Sequence, residues 1–315
     1  VLLENIHPAL VALAQAGLST KGGGGNTVRN ITGCPHAGVC ADEAFDVTPH
    51  VLAMTEFLLN DPQSFQLPRK YKIAFSGCSQ DCSAATVNDL GFIAKSRDGV
   101  EGFAVYVGGG MGSSSRVADR LEEFVPAADV PLVAEAVKRV FNAHGNRKDK
   151  RLARLRFLVK QLGLESFRKL YCEQLDPLRR QPPTLPTLRP ERLHPPASAV
   201  NRAGPSKFAA PAFQRWRAAN LTPQKQAGFY VAEIPLFLGD IRSDNLRALA
   251  EVVEQHGEHA LRTTPTQNLI LRWVAESELE PLHEKLSTLG RDLSDFSLDT
   301  VKMFHQDARA AGFVL

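Results

Sequence analysis

Very little in this 315-residue chain is scarce enough to be informative, but what is scarce excludes a good deal. Cysteine occurs five times, an odd number with no secretion signal ahead of it, which speaks against a disulfide framework. No apolar run approaches the length of a membrane span, so no membrane partner is expected and a cytoplasmic location is the default. Excess charge is also missing. With 37 Lys and Arg against 34 Asp and Glu, the net charge of +3 implies no nucleic acid by itself, although it suits a small anionic ligand. An initiating methionine is absent too. The chain opens on Val1 in a helical pattern and stops at "ARAAGFVL" without a polar tail, which reads as a piece of a longer protein.

What is present divides the chain in two. Nine of the 20 prolines fall between Pro177 and Pro211, a density that builds neither helix nor central strand. The expected organisation is a first domain over 1–175, a proline-rich linker over 176–212 and a second domain over 213–315. In the first, "VTPHVLAMTEFLLND" predicts a helix with Thr48 as N-cap and Pro49 at the first helical position. "KYKIAF", "DLGFIAK" and "GFAVYVGGG" predict strands. "SSSRVADRLEEFV", "DVPLVAEAVKRVFNAHG" and the stretch from Lys148 to Leu175 predict helices. "KRLARLRFLVK" reads as a helix with a solvated basic face, and Cys172 as a buried small hydrophobe. The second domain reads strand, helix, strand, helix, with an Asp244 cap, the order of a ferredoxin-like layer. The fold class is α+β: a mixed sheet followed by a ferredoxin-like half-domain.

Chemistry concentrates in the first domain. Cys34 and Cys40 form a C-x5-C pair and Cys78 and Cys82 a C-x3-C pair. Four thiolates complete the coordination of an iron–sulfur centre or of zinc, and unligated thiols remain a third reading. His36 lies between the first pair and reads as part of the loop. Lys70 and Lys72 sit two apart in a predicted strand, so their ammonium groups share a face; a bound anion or simple solvation relieves their repulsion. Because that strand runs on into Cys78, lysines and thiols are expected to border one cavity. Two glycine runs, "GGGGN" and "GGGMGSSSR", let backbone N–H groups approach an anion, and the second is expected to lead into a helix N-terminus.

Together, "GGGGNTVRNITGCPHAGVC", "LPRKYKIAFSGCSQDC", "NDLGFIAK" and "VYVGGGMGSSSR" resemble the sirohaem-containing nitrite and sulfite reductases. "RTTPTQNLIL" is similar to that family's ferredoxin-like half-domain. The resemblance implies a six-electron reduction of sulfite to sulfide or nitrite to ammonia at a sirohaem coupled to a 4Fe-4S cluster. It implies Cys34, Cys40, Cys78 and Cys82 as cluster ligands, with Cys82 as the bridge to the haem iron. Arg29, Lys70 and Lys72 become the catalytic cations. Asn30, Gly108, Gly109, Gly110 and Arg116 become cofactor contacts. Lys72 leans toward sulfite, because nitrite-type members can carry asparagine there. The place analogous to the family's further pocket arginine holds Thr266, and in many members the working cluster cysteines lie in another half-domain. The expected electron donor is a ferredoxin or a reductase subunit. The alternatives are a non-catalytic iron–sulfur electron-transfer or sirohaem-binding subunit, and a zinc-stabilised module.

Overall fold

The computed structural model describes residues 2–112, 114–185, 187–189 and 211–289. The chain divides into two units: Val1–Cys34 with Glu43–Glu191, and Pro35–Asp42 with Arg192–Leu315. The short segment that joins the first cysteine pair therefore groups with the second unit.

The first unit carries a five-stranded sheet in sequential order: β1 (Thr32–Gly33), β2 (Ile73–Ser76), β3 (Leu90–Arg97), β4 (Val100–Val107) and β5 (Asp119–Pro126). β1, β2 and β3 run parallel, and β3, β4 and β5 antiparallel. β2 is buried at every position, which its Ile-Ala-Phe-Ser sequence permits only as an interior strand. Phe75 of β2 stacks on Phe92 of β3 at 4.6 Å between ring centroids, and Phe103 of β4 meets both rings edge-on. Outside the sheet lie α1 (Ile6–Gln15), α2 (Thr48–Leu59), α3 (Val130–His144), α4 (Leu155–Leu162) and α5 (Leu164–Arg180), with α3 and α5 packed on each other.

The stretch expected to form a helix after the second glycine run is instead strand β5. Its register against β4 shifts twice, between Phe103 and Val105 and again between Val105 and Tyr106. The extra residues on β5 spread its buried Leu121 and Val125 four apart and imitate a helical period. Three smaller corrections follow from local geometry. α2 starts at Thr48 itself, with Val47 in the N-cap place and the Asp46 carboxylate accepting from Thr48 N. α5 continues through Pro177 to Arg180, so the proline-rich stretch begins inside a helix. Cys172 is exposed, because the buried stripe of α5 runs through Phe167, Tyr171 and Leu175, about 100° around the helix from it.

His50 on α2 is buried between Phe45 and Phe103, and that burial pushes its imidazole below the ordinary value of 6.5, with Asp46 opposing. The unfolded chain therefore takes up this proton more readily. Stability is expected to fall as pH drops below 6.5, by at most about 1.4 kcal/mol per pH unit for this group. Urea midpoints that rise or stay level between pH 7.5 and 5.5 would contradict this.

The second unit is a four-stranded antiparallel sheet in the order β6 (Leu221–Pro223), β7 (Phe229–Ile234), β9 (Leu269–Ala275), β8 (Leu261–Thr263). It packs with α6 (Pro211–Asn220), α7 (Ser243–Val253) and α8 (Leu279–Thr288) around Phe213, Trp216, Leu249, Leu282 and Leu286. The stretch read as one strand over "ALRTTPTQNLILRWV" is a hairpin, turning where Thr264 bonds Thr266 and Gln267 takes φ 67°. Asp244 lies in the first turn of α7 rather than at its cap, which is Arg242. Against β7 and β9 sits the segment Pro35–Asp42: Val39 is buried with Val231, Ile270 and Trp273. Arg272 donates to Ala37 O, Gln226 Nε2 to Gly38 O at 3.0 Å, and Lys225 N to Val39 O at 2.9 Å.

Candidate functional site

The cationic residues meet at one end of the parallel strands. Val28 bridges Tyr71, and Arg29 N donates to Tyr71 O, which sets Arg29 beside the Lys70–Lys72 segment just before β2. Tyr71 is wholly buried, with its hydroxyl on Ala134 O, so the alternating backbone turns Lys70 and Lys72 the other way. Lys70 is half-buried and Lys72 exposed. Burial, followed by the positive charges of Arg154, Lys72, Arg29 and Arg69, holds the Lys70 ammonium below its ordinary value. Arg29 itself is clamped by the first glycine run, donating to Gly25 O at 2.9 Å and to Gly23 O at 3.2 Å. That loop thus presents carbonyls to a guanidinium; its glycines Gly22 and Gly25 take φ values of 77° and 81° that suit no other residue as well.

Cys34 and Cys78 lie at the opposite end of the parallel strands. Cys34 follows β1 and donates its N–H to Phe75 O; Cys78 follows β2. The six residue steps from Lys72 to Cys78 run through β2 and span roughly 20 Å when extended. β2 thus lies between the lysines and Cys78. Cys34 and Cys78 are buried, Cys40 half-buried and Cys82 exposed. Cys82 sits in a loop organised by Asp81 at φ 52°, whose carboxylate accepts from Ser76 Oγ, Ala85 N and Thr86 N. Among the described residues, no group of three or more His, Cys, Asp or Glu is placed to hold a metal ion. The donor chemistry of four thiols suits a cluster. His36 stays in its loop, where burial lowers its pKa; Glu233 opposes this, and Arg272 and Arg262 add to it.

The second glycine run leads into a strand, so the expected helix N-terminus is absent. Gly110 and Arg116 exchange both backbone hydrogen bonds. Arg116 reaches back to Gly108 O at 3.2 Å and pairs with Asp119 at 2.5 Å. Gly109 leaves no room for a side chain: a Cβ would lie 2.7 Å from the backbone oxygens of both Asn88 and Thr86. Gly109→Ala is expected to cost about 1–3 kcal/mol, read as a lowered denaturation midpoint, since neither carbonyl can retreat cheaply. Asn30 is exposed next to Arg29.

Two functional candidates escaped the sequence reading. Arg154 and Arg156 belong to the stretch expected to be a solvated basic face, yet Arg156 is buried and the Arg154 side chain only 12% exposed. Arg154 precedes α4, held by the fully buried Asp89 through contacts of 3.1 and 2.8 Å. Arg156 lies against Gly110 and bonds Met111 O at 3.4 Å, while its Nε is buried with no hydrogen-bond partner. Burial and the neighbouring Arg154 lower its proton affinity, with Asp89 opposing. The signal available was that the residues do not share a helix face: Arg154 lies before the first turn. A buried guanidinium with an orphan N–H beside a glycine loop, next to further cations, fits a large polyanionic group.

The chain thus combines a mixed-sheet unit that has a cationic edge with a ferredoxin-like antiparallel unit. The nitrite and sulphite reductase 4Fe-4S domain matches residues 24–177, and the nitrite/sulfite reductase ferredoxin-like half domain matches residues 222–289. Ferredoxin–nitrite reductase of Synechococcus elongatus is 31% identical over 93% of this chain and 55% of its own length. Sulfite reductase [ferredoxin] 1 of Mycolicibacterium paratuberculosis is 31% identical over 92% of this chain and 48% of its own. The solved structure of the Mycobacterium tuberculosis NirA protein superposes with a TM-score of 0.73 at 29% identity, covering 92% of this chain and 48% of that one. The chain thus spans about half the length of the relatives it matches. It belongs to the sirohaem-dependent nitrite and sulfite reductase family, whose cofactors are a sirohaem and a 4Fe-4S cluster.

Proposed function

We propose that this chain supplies the oxyanion-binding part of a six-electron reductase that converts sulfite to sulfide or nitrite to ammonia. The observation that carries the reading is the setting of Arg29 beside the Lys70–Lys72 segment through the Val28–Tyr71 bridge; burial first, and the charges of Arg154, Lys72, Arg29 and Arg69 after it, weaken the hold of Lys70 on its proton. Cations that crowd one another in a partly desolvated place are stabilised by an anion between them. A lysine whose proton is more easily released is also the better donor to an oxygen that must leave as water. Arg29, fixed by the Gly23 and Gly25 carbonyls, orients the oxyanion without having to be ordered first.

A sirohaem would be held through its carboxylates by Arg156, with Arg116, Asn30 and the Gly108–Gly110 backbone around it, and would relay the donor's electrons to the bound oxyanion. Cys34, Cys40, Cys78 and Cys82 are the residues that would hold the 4Fe-4S cluster, which would pass electrons on to the haem. Lys72 favours sulfite over nitrite. The printed names of the relatives favour a ferredoxin as electron donor over a separate reductase subunit. No described helix is long and apolar enough to cross a membrane, and the charge balance offers no nucleic-acid footprint, in keeping with a cytoplasmic enzyme.

Iron, acid-labile sulfide and zinc per chain, measured on anaerobically purified full-length protein and on its Cys34→Ser/Cys78→Ser variant, test the cysteine assignment. The expected result is that the variant loses about four iron and four sulfide. Unchanged content removes these thiols from the cluster. Zinc without sulfide sinks the reductase reading of these thiols.

A further inference from the structure

Asp89 is wholly buried at the start of β3, and its carboxylate is shared by two elements of the cationic site. Oδ2 accepts from Lys72 N at 2.9 Å, while Arg154 donates to Oδ1 at 3.1 Å and to Oδ2 at 2.8 Å. Its own carbonyl accepts from Gly108 N at 2.9 Å, and the adjoining Leu90 N donates to Lys72 O at 3.1 Å. One residue therefore fixes the lysine segment, the guanidinium before α4 and the first glycine of the second run. A carboxylate buried to this extent is costly unless its partners are fixed as well. Here they are fixed on both oxygens.

We propose that Asp89 is a positioning residue of the oxyanion site: it fixes the backbone that carries Lys70 and Lys72 and offsets the charge of Arg154 beside them. The inference rests on the reading of Lys70 as a substrate cation. Lys70 feels Arg154 first among its neighbouring charges, ahead of Lys72, Arg29 and Arg69. Asp89 is the counter-charge that Arg154 pairs with, at 2.8 Å. Burial pushes the Asp89 carboxyl up, and the opposing pull of Arg154 comes next, followed by the Lys72 N–H and Arg156. Tyr71 also faces it, but that phenol is held neutral by its own burial and by Asp89. Among the described groups, the titrating partner is therefore Lys70.

The test is the pH dependence of kcat/KM for sulfite and for nitrite in the full-length holoenzyme, supported by 13C NMR titration of methylated Lys70. Asp89→Asn leaves Arg154 uncompensated, so the Lys70 titration and the alkaline limb of the profile move to lower pH, with about a tenfold loss of kcat/KM on the alkaline side. Arg154→Gln removes a positive charge and moves both to higher pH. Opposite displacements from the two halves of one ion pair are expected. A purely structural role would lower activity in both variants and leave the limb where it was, or move it the same way in both; either result overturns the proposal. Should Asp89→Asn fail to fold, Arg154→Gln alone must still raise the limb. Lys70→Met separates this inference from the reading beneath it. A limb that survives Lys70→Met removes Lys70 from the site, whereas a limb that vanishes in Lys70→Met but stays put in the other two removes only Asp89.

Discussion

Replacing Lys70 and Lys72 together by alanine in the full-length enzyme is expected to cut kcat/KM for sulfite or nitrite by about 10²–10³-fold, most of it in kcat. Two ammonium groups lie on one side of an extended segment whose intervening residue, Tyr71, is sunk in the core. Neither lysine contributes to that core, since Lys72 is exposed and Lys70 half-buried. The double variant should therefore melt within a few degrees of the parent while losing turnover. Arg29 remains, so some anion binding persists and KM rises less than kcat falls. Steady-state rates with an artificial reductant, beside a thermal melt, check both parts. A surviving rate would remove the cationic site from the reaction and leave the chain as a non-catalytic electron-transfer or sirohaem-binding part.

Arg272→Met is expected to have the largest effect on stability, about 3–5 kcal/mol. Arg272 is fully buried in β9, pairs with Glu258 through both guanidinium sides at 2.6 and 2.5 Å, and donates to Ala37 O. Removing it strands a carboxylate and a carbonyl together. The next residue, Trp273, holds φ at 60° inside the strand, with its N–H on the Gln224 side chain, so the strand has little freedom to rearrange around the loss. Denaturant titration measures the cost. Hydrogen exchange measures its spread: the amides of Val39 and Cys40, which donate to His36 O, should lose protection along with β9. Val39→Ala, a milder probe of the same contact, should cost about 1–3 kcal/mol and leave the Arg272–Glu258 pair intact.

Much of this architecture could be read before any coordinates. Ile73–Ser76, Leu90–Arg97 and Val100–Val107 advertise themselves by β-branched and aromatic residues ending in glycine or charge, and the helices of the second unit by their period. β5 did not, because two register shifts erase the alternation that marks a strand. Arg29, Lys70 and Lys72 came together in the sequence only through the family's motifs; the fold sets Arg29 on a segment beside Tyr71. Arg154 and Arg156 were not: a run of basic and apolar residues looks the same whether its charges face water or a buried Asp89 nearly seventy residues earlier. The separation of lysines from thiols was legible in principle. It needed only the length of an extended strand, which the closeness of the motifs in sequence disguised.

The placement of Pro35–Asp42 has a bearing on how the protein can be taken apart. These residues lie inside the matched 4Fe-4S domain by sequence, close to its start, yet Val39 completes the apolar cluster of β7 and β9, and Arg272 closes on Ala37. A gene cut after the first sheet, at the place the prolines invite, would carry away a loop whose hydrophobic anchor is encoded on the other side of the cut. The ferredoxin-like piece, made alone, would show a bare patch where Val39 belongs. The unit of inheritance and the unit of folding do not coincide here, and a shuffled or truncated descendant would have to repair both surfaces at once.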